Sequence, residues 1–156
     1  MTTTTISRSR QQRPAPQAVP AGGHVFGLPL DHGPLAPATA RHAAQPILQA
    51  WGLSEDQVYD TLLVISELVT NAVTHALPPV VLHLHATTDG SGHVQVHVSD
   101  GGPQTAPAAT NWAATRPDDE HGRGDTIITT LAHHTGTDHT PDTDGLIDHW
   151  ADIGAA

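Results

Sequence analysis

The chain has 156 residues, with 16 acidic residues, 6 arginines and no lysine, which gives a formal net charge of −10. A phosphate-binding loop of the P-loop type and Schiff-base catalysis both need a lysine, so the sequence excludes these two functions. An acidic surface repels phosphate groups, which argues against nucleic acid and membrane partners. The absence of cysteine excludes disulfides, thiolate metal ligands and a thiol nucleophile.

A chain of this length is expected to fold around a single core. Residues 1–23 hold almost nothing to bury, so we predict a disordered tail there and one domain over 24–156. No segment reaches the ~18 consecutive apolar residues of a membrane span, and no apolar stretch follows the basic residues near the N-terminus. We therefore expect a soluble, cytoplasmic protein.

Two elements are predicted at the start of the domain. The short apolar segment 25–30 is typical of an edge strand, a position that tolerates its proline. Apolar residues at helical spacing predict a helix over 37–50 that stops at Gly52. Pro46 lies inside this helix and is expected to kink it or to move its start later, because proline removes a backbone hydrogen bond.

The strongest helical pattern covers residues 55–76. Ser54 and Gln57 have the spacing of a capping box, in which each side chain satisfies a backbone N–H of the other residue. The apolar residues that follow recur every three or four positions and define one buried face: Val58, Leu62, Ile65, Val69, Ala72 and Ala76.

The second half of the sequence is typical of strands and loops. Residues 82–86 and 94–98 alternate apolar and polar side chains around a glycine-rich turn, which predicts a β-hairpin. Residues 101–121 show no periodicity, and a loop of this length inside a small domain is often a functional lid. The remaining predicted elements are a helix over 125–133 and strands over about 135–140 and 146–153.

A polar stripe runs along the predicted helix 55–76. Glu67, Asn71 and His75 are spaced four residues apart, so they share one face, opposite the apolar face. An ordinary solvated helix face would explain this stripe. The flanking Val64 and Val73 favour another interpretation, in which the helix is covered on both sides, for example by a ligand and a lid.

Two glycine motifs accompany the stripe. Asp100, Gly101 and Gly102 directly follow a predicted strand, where aspartate and glycine commonly make a simple turn. The tripeptide 122–124, Gly-Arg-Gly, precedes a predicted helix, and glycines there let a phosphate approach the N–H groups at the helix start. A hinge between loop and helix would explain the second motif equally well.

Taken in order, the helix SELVTNAVTHA, the strand ending in Asp-Gly-Gly, the long loop and Gly-Arg-Gly resemble the GHKL ATPases of the gyrase, histidine kinase and MutL type. The sequence is most similar to the stand-alone anti-sigma-factor serine kinases of the RsbW-like branch, over residues 36–153. The resemblance implies a Bergerat ATP-binding fold. This is a two-layer α/β sandwich with helices on one face of a mixed, mostly antiparallel sheet.

The resemblance also implies a role for each motif residue. Glu67 would be the general base, Asn71 the Mg²⁺ ligand, and Asp100 the acceptor for the adenine amino group beside Gly102. The triphosphate would lie at Gly122, Arg123 and Gly124. These roles suit the residue types, since a carboxylate accepts from an amine and Mg²⁺ takes oxygen ligands. The implied activity is ATP-dependent phosphorylation of a serine or threonine on a small antagonist protein, with a sigma factor as a second partner. The family resemblance also allows a homodimer.

Several residues depart from the family pattern. Gln104 replaces the last glycine of DxGxG, Asp125 replaces the leucine after the second glycine motif, and the terminal strand lacks the usual Gly-Lys. Further acids surround that motif, at positions 118, 119 and 120. These departures favour ATP binding over catalysis. Because acids repel a triphosphate, the departures also predict a weak nucleotide affinity. They also leave open a second class of function, a folded regulator that binds a protein partner and no nucleotide.

A third alternative comes from the 13 histidines. His83 and His85 on one predicted strand, and His93 and His97 near the next, point to the outer sheet face, and paired histidines can share a metal ion. No cysteine or convergent carboxylate completes such a site, so a solvated sheet face is the favoured interpretation.

Overall fold

A computed structural model describes residues 23–87, 92–104, 127–139 and 145–154. Two long helices and five strands account for most of this described chain, and residues 127–131 add one short helical segment. The predicted tail, the hairpin turn and nearly all of the predicted lid lie outside it. In chain order the elements are β1 (His24–Leu30), α1 (Ala36–Ala50), α2 (Glu55–His75), β2 (Val80–Ala86), β3 (Val94–Asp100), β4 (His134–His139) and β5 (Ile147–Ile153).

The strands form one sheet with the order β1-β2-β3-β5-β4, and each described pairing is antiparallel. The prediction of an α/β sandwich with a mostly antiparallel sheet is thus confirmed. β1 is an edge strand as predicted, with Pro29 opposite Val81 on β2. β3 is central, and its last residue, Asp100, lies opposite Ile147 on β5. The carboxyl end of β3 therefore meets the start of β5.

The core lies between the sheet and the two helices. β2 and β3 alternate as predicted, and their inward side chains are buried beneath α1 and α2. Burying one such aliphatic side chain contributes about 1.5–3 kcal/mol, so this alternating pattern fixes the register of the sheet. The residues with no exposed surface include Ala40, Ala44, Leu48, Val64, Ile65, Val69, Leu82, Leu84, Val96 and Val98.

Helix α1 starts earlier than we expected from the presence of Pro46. It begins at Ala36 and runs through Pro46 to Ala50, so the expectation of a later start is wrong. Pro46 is exposed, whereas Ala44 and Leu48 on either side of it are fully buried. Burial of these neighbours holds the helix together where proline removes a backbone hydrogen bond.

Helix α2 begins with the predicted capping box. The Gln57 N–H donates to Ser54 Oγ at 3.2 Å, and the Ser54 N–H donates to Gln57 Oε1 at 3.0 Å. Its buried residues extend around more than one side of the helix and include both Val64 and Val73. Coverage of the polar stripe itself by a ligand and a lid stays a prediction. Neither long helix of the described chain is apolar enough over sufficient length to cross a membrane.

Candidate functional site

A cavity of about 430 Å³ opens between the C-terminal half of α2 and the ends of three strands. This volume lies within the range of small-molecule binding sites. The family resemblance implies that α2 and the end of β3 share one site, and the fold brings them together here. The lining residues are Asn71, His75, Ala76, Asp100, Pro103, Thr137, Ile147 and His149.

Asp100 is the buried acidic group of this cavity, with 1% of its surface exposed. Its Oδ1 accepts a hydrogen bond from the Gly102 N–H at 2.8 Å, which fixes the carboxylate. Its Oδ2 lies 3.0 Å from His149 Nε2 but has no hydrogen bond of favourable angle within the described chain. A buried carboxylate oxygen in this state is an acceptor suited to a ligand N–H group, because leaving it without one costs free energy.

Both glycines after Asp100 are needed for the shape of this turn. Gly102 has a φ of +95°, which a residue with a side chain rarely adopts. At Gly101 a Cβ atom would lie 2.2 Å from the Pro78 carbonyl oxygen. Asp-Gly-Gly therefore makes the predicted turn, and the same turn orients the Asp100 carboxylate. The role of Asp100 as a ligand acceptor stays a prediction.

We expect Gly101→Ala to destabilise the protein by about 1–3 kcal/mol, the usual cost of overpacking, because the backbone at Pro78 must move. Chemical denaturation would measure the change in unfolding free energy. Gly33→Ala is the matched control, since no atom lies within 4 Å of the added methyl group. Equal stability of the two variants would show that the close approach at Gly101 is unimportant.

Gln104, a departure from the family pattern, joins this turn to the end of α2. Its backbone N–H donates to the His75 carbonyl at 2.9 Å, and its side-chain Nε2 donates to the Ala76 carbonyl, also at 2.9 Å. Helix ends leave carbonyl groups without helical partners, and Gln104 satisfies two of them. Glutamine at this position therefore fixes the distance between α2 and β3, the two elements that carry Asn71 and Asp100.

Only part of the predicted polar stripe on α2 lines the cavity. Asn71 and His75 line it, with Asn71 half-buried and His75 exposed. Glu67 is half-buried one turn before Asn71, makes other polar contacts, and is outside the cavity lining. The stripe therefore places Asn71 next to the cavity, whereas Glu67 lies beyond its rim.

The predicted phosphate-binding residues lie outside the described residues. This applies to Gly122, Arg123 and Gly124, to Asp125, and to the acids at 118–120. The described chain resumes at residue 127 with a helical segment that buries Ile128 in the core. The triphosphate end of the site accordingly stays a prediction.

Sequence analysis did not identify His149, which faces Asp100 across the cavity. Ile147 and His149 alternate with outward-facing residues on β5, so the strand pattern placed them on the same side as Asp100. The side-chain contact with Asp100, of hydrogen-bond length, is the main cause that raises the pKa of His149. Burial opposes this shift, and Coulombic attraction to Asp100 and Asp148 adds to it.

The outer face of the sheet carries the other histidine cluster. His97 is buried, its Nδ1 lies 2.8 Å from Asp148 Oδ2, and its ring lies 5.1 Å from that of His85. Among the residues that the structure describes, no group of three or more histidine and acidic side chains is placed to hold a metal ion. The buried His97 is less solvated than the predicted sheet face.

Comparisons with known proteins agree with this architecture. A family model, the histidine kinase-like ATPase domain, matches residues 34–146, and the chain belongs to that family. Its fold is similar to the crystal structure of the RsbU and RsbW domains of Rv1364c from Mycobacterium tuberculosis, with a TM-score of 0.59 and 20% sequence identity. The match covers 83% of this chain and 31% of that chain, so this chain spans less than a third of that protein. Comparison with the curated proteins found no match.

These findings confirm the predicted relationship to the GHKL ATPases and the RsbW-like fold. The residues of the cavity also fit the ligands that such a family implies. Asp100 offers a buried oxygen acceptor to an exocyclic amine, and Asn71 offers an amide oxygen of the type that Mg²⁺ prefers.

Proposed function

We propose that this protein binds ATP with Mg²⁺ in the cavity between α2 and β3. We further propose that it transfers the terminal phosphoryl group to a serine or threonine of a small antagonist protein. A sigma factor would be its second partner. The family match supports ATP binding, and the likeness to an RsbW domain is the reason for choosing this class of partner.

The observation that carries this proposal is the Asp100 carboxylate, which is buried at the wall of a cavity large enough for a nucleobase. The Oδ2 atom has no well-angled hydrogen bond within the described chain. The amino group of adenine would donate to it, whereas guanine presents a carbonyl oxygen at the same ring position. The site should therefore prefer adenine nucleotides over guanine nucleotides.

Two residues of α2 would serve the phosphoryl transfer. Asn71 would hold Mg²⁺, which neutralises charge on the phosphates, through its amide oxygen. Glu67, one turn earlier, would accept the proton of the attacking serine or threonine hydroxyl. Its position outside the cavity lining suits a group that meets the protein substrate rather than the base.

Incubation with labelled ATP and candidate small regulatory proteins from the same organism tests the proposed transfer. A kinase would transfer label to serine or threonine on one of them, and mass spectrometry would locate the modified residue. Stable complex formation without any transfer of label would instead favour the alternative function, a partner-binding regulator without catalysis. The acidic residues at 118–120 are a reason to consider this alternative, since they add negative charge close in sequence to the predicted phosphate site.

A further inference from the structure

His149 projects into the same cavity as Asp100 and lies against the oxygen that a ligand would use. Its Nε2 is 3.0 Å from Asp100 Oδ2, and its Nδ1 is 3.1 Å from the Thr137 hydroxyl oxygen on β4. The imidazole is thus held by β3 on one side and by β4 on the other. The other carboxylate oxygen of Asp100 is already used by the Gly102 N–H.

The two contacts of His149 suit both charge states of the ring. In the neutral form, Nε2–H faces Asp100 and Nδ1 accepts from the Thr137 hydroxyl; in the charged form, Nδ1–H donates to the Thr137 oxygen instead. The side chain of His149 is 38% exposed, so a proton can reach it from solvent without opening the fold. Among the described residues, the titratable groups around it are Asp100 on β3, Asp148 on its own strand, His75 on α2 across the cavity, and His139, which shares its sheet face on β4.

We propose that His149 is an internal competitor of the nucleotide for the Asp100 carboxylate. The His149 ring must leave this carboxylate before an adenine amino group can bind there, and nucleotide binding therefore releases a proton. This inference rests on the proposed nucleotide site and adds a residue that controls its affinity. The competitor is a positioning residue, since it acts by holding Asp100 and contacts no reacting atom.

The direction of the pH effect follows from the contact with Asp100. That contact raises the pKa of His149 above its ordinary 6.5, so it favours the charged ring relative to a histidine without this partner. Bound nucleotide separates the His149 ring from Asp100, and the pKa of His149 then falls towards its ordinary value. Binding is therefore weakest at low pH, and it strengthens as the pH rises through the raised pKa of His149.

The same shift affects folding. The contact stabilises the native protein fully below the pKa of the unfolded histidine, and this contribution is lost as the pH rises through the raised pKa of the folded protein. Acidification from the raised pKa of folded His149 towards the pKa of the unfolded histidine thus stabilises the ligand-free fold and weakens nucleotide binding. The two effects have a single origin, the short contact between His149 and Asp100.

Isothermal titration with ADP at pH 6 and pH 8 tests the competition between His149 and nucleotide. Buffers of different ionisation enthalpy give the number of protons released on binding. We expect the wild-type protein to release protons and to bind several-fold more weakly at pH 6. His149→Ala should bind about threefold to tenfold more tightly than the wild-type protein at pH 6, with a smaller difference at pH 8. His149→Gln keeps a donor near the position of Nε2 but cannot titrate, so it should release fewer protons than the wild-type protein by the amount that His149 contributes.

His93→Gln is the matched control, because His93 makes a similar contact with Asp152, 3.0 Å long, outside the cavity. This variant should retain the wild-type proton release. Titration of the phosphates of ADP itself is common to every variant and cancels in the comparison. An NMR titration of the His149 ring in the wild-type protein adds a readout that needs no variant, since its pKa should fall when ADP binds.

Three results would overturn the proposal. Proton release by His149→Gln equal to that of the wild-type protein, or an unchanged His149 pKa on binding, would show that the ring does not compete; the nucleotide site itself would stand. Weaker ADP binding by His149→Ala would show that the ring assists the base. An absence of ADP binding by all variants at both pH values would overturn the proposed function together with this inference.

Discussion

Asp100→Asn should weaken ATP binding by about 10-fold to 100-fold, equivalent to the ~1.5–3 kcal/mol of a hydrogen bond to a charged group. The amide nitrogen would oppose the amino group of adenine, so two donors would meet where the wild-type protein offers an acceptor. The remaining amide oxygen can still accept from the Gly102 N–H, so the turn should keep its shape. Competition with a fluorescent ATP analogue would measure the loss.

Asp152→Asn is the matched control for this substitution. Asp152 is also an aspartate of the sheet that contacts a histidine, but it lies outside the cavity. ATP affinity should be unchanged in this variant. GTP offers a second comparison, because an amide donor at residue 100 suits the carbonyl oxygen of guanine, and the preference for ATP over GTP should narrow in Asp100→Asn. Unchanged ATP affinity in Asp100→Asn would contradict the assignment of Asp100 to the base.

Glu67→Gln should lower phosphoryl transfer to the protein substrate by about 10²-fold to 10⁴-fold, the usual contribution of a general base. The change removes the proton acceptor and preserves the shape of the side chain. Because Glu67 is outside the cavity lining, ATP affinity should change little. Single-turnover transfer of label from ATP would separate the chemical step from nucleotide binding.

Glu55→Gln controls for the loss of an acidic side chain on the same helix, since Glu55 is exposed in the first turn of α2. Transfer at the wild-type rate by Glu67→Gln would assign the base to another residue. A parallel loss of ATP affinity would instead indicate that Glu67 acts in binding.

Periodicity and local signals predicted most of the fold. The capping box, the alternating strands β2 and β3 and the edge position of β1 are each set by neighbours in sequence, and each is present. The error at α1 has a tertiary cause, since burial of Ala44 and Leu48 offsets the effect of Pro46. Local propensity contains no information about that burial.

The residues of the candidate site also differ in whether the sequence could identify them. Asn71 and Asp100 could be identified from motifs, because each motif is continuous in sequence. His149 could not, because its importance comes from the antiparallel pairing of β3 with β5, which joins residues 49 positions apart. Gln104 was identified as a departure, but its role depends on two carbonyl groups at the end of α2 that only the folded chain brings within reach.

Isothermal titration of the wild-type protein with ATP and Mg²⁺ at pH 8, where competition from His149 is weakest, tests whether the cavity beside Asp100 binds adenine nucleotides. We predict saturable binding of one ATP per chain, and much weaker binding of GTP under the same conditions. An absence of binding heat, supported by an absence of ATP-induced shifts in the NMR signals of Asn71 and Asp100, would contradict it.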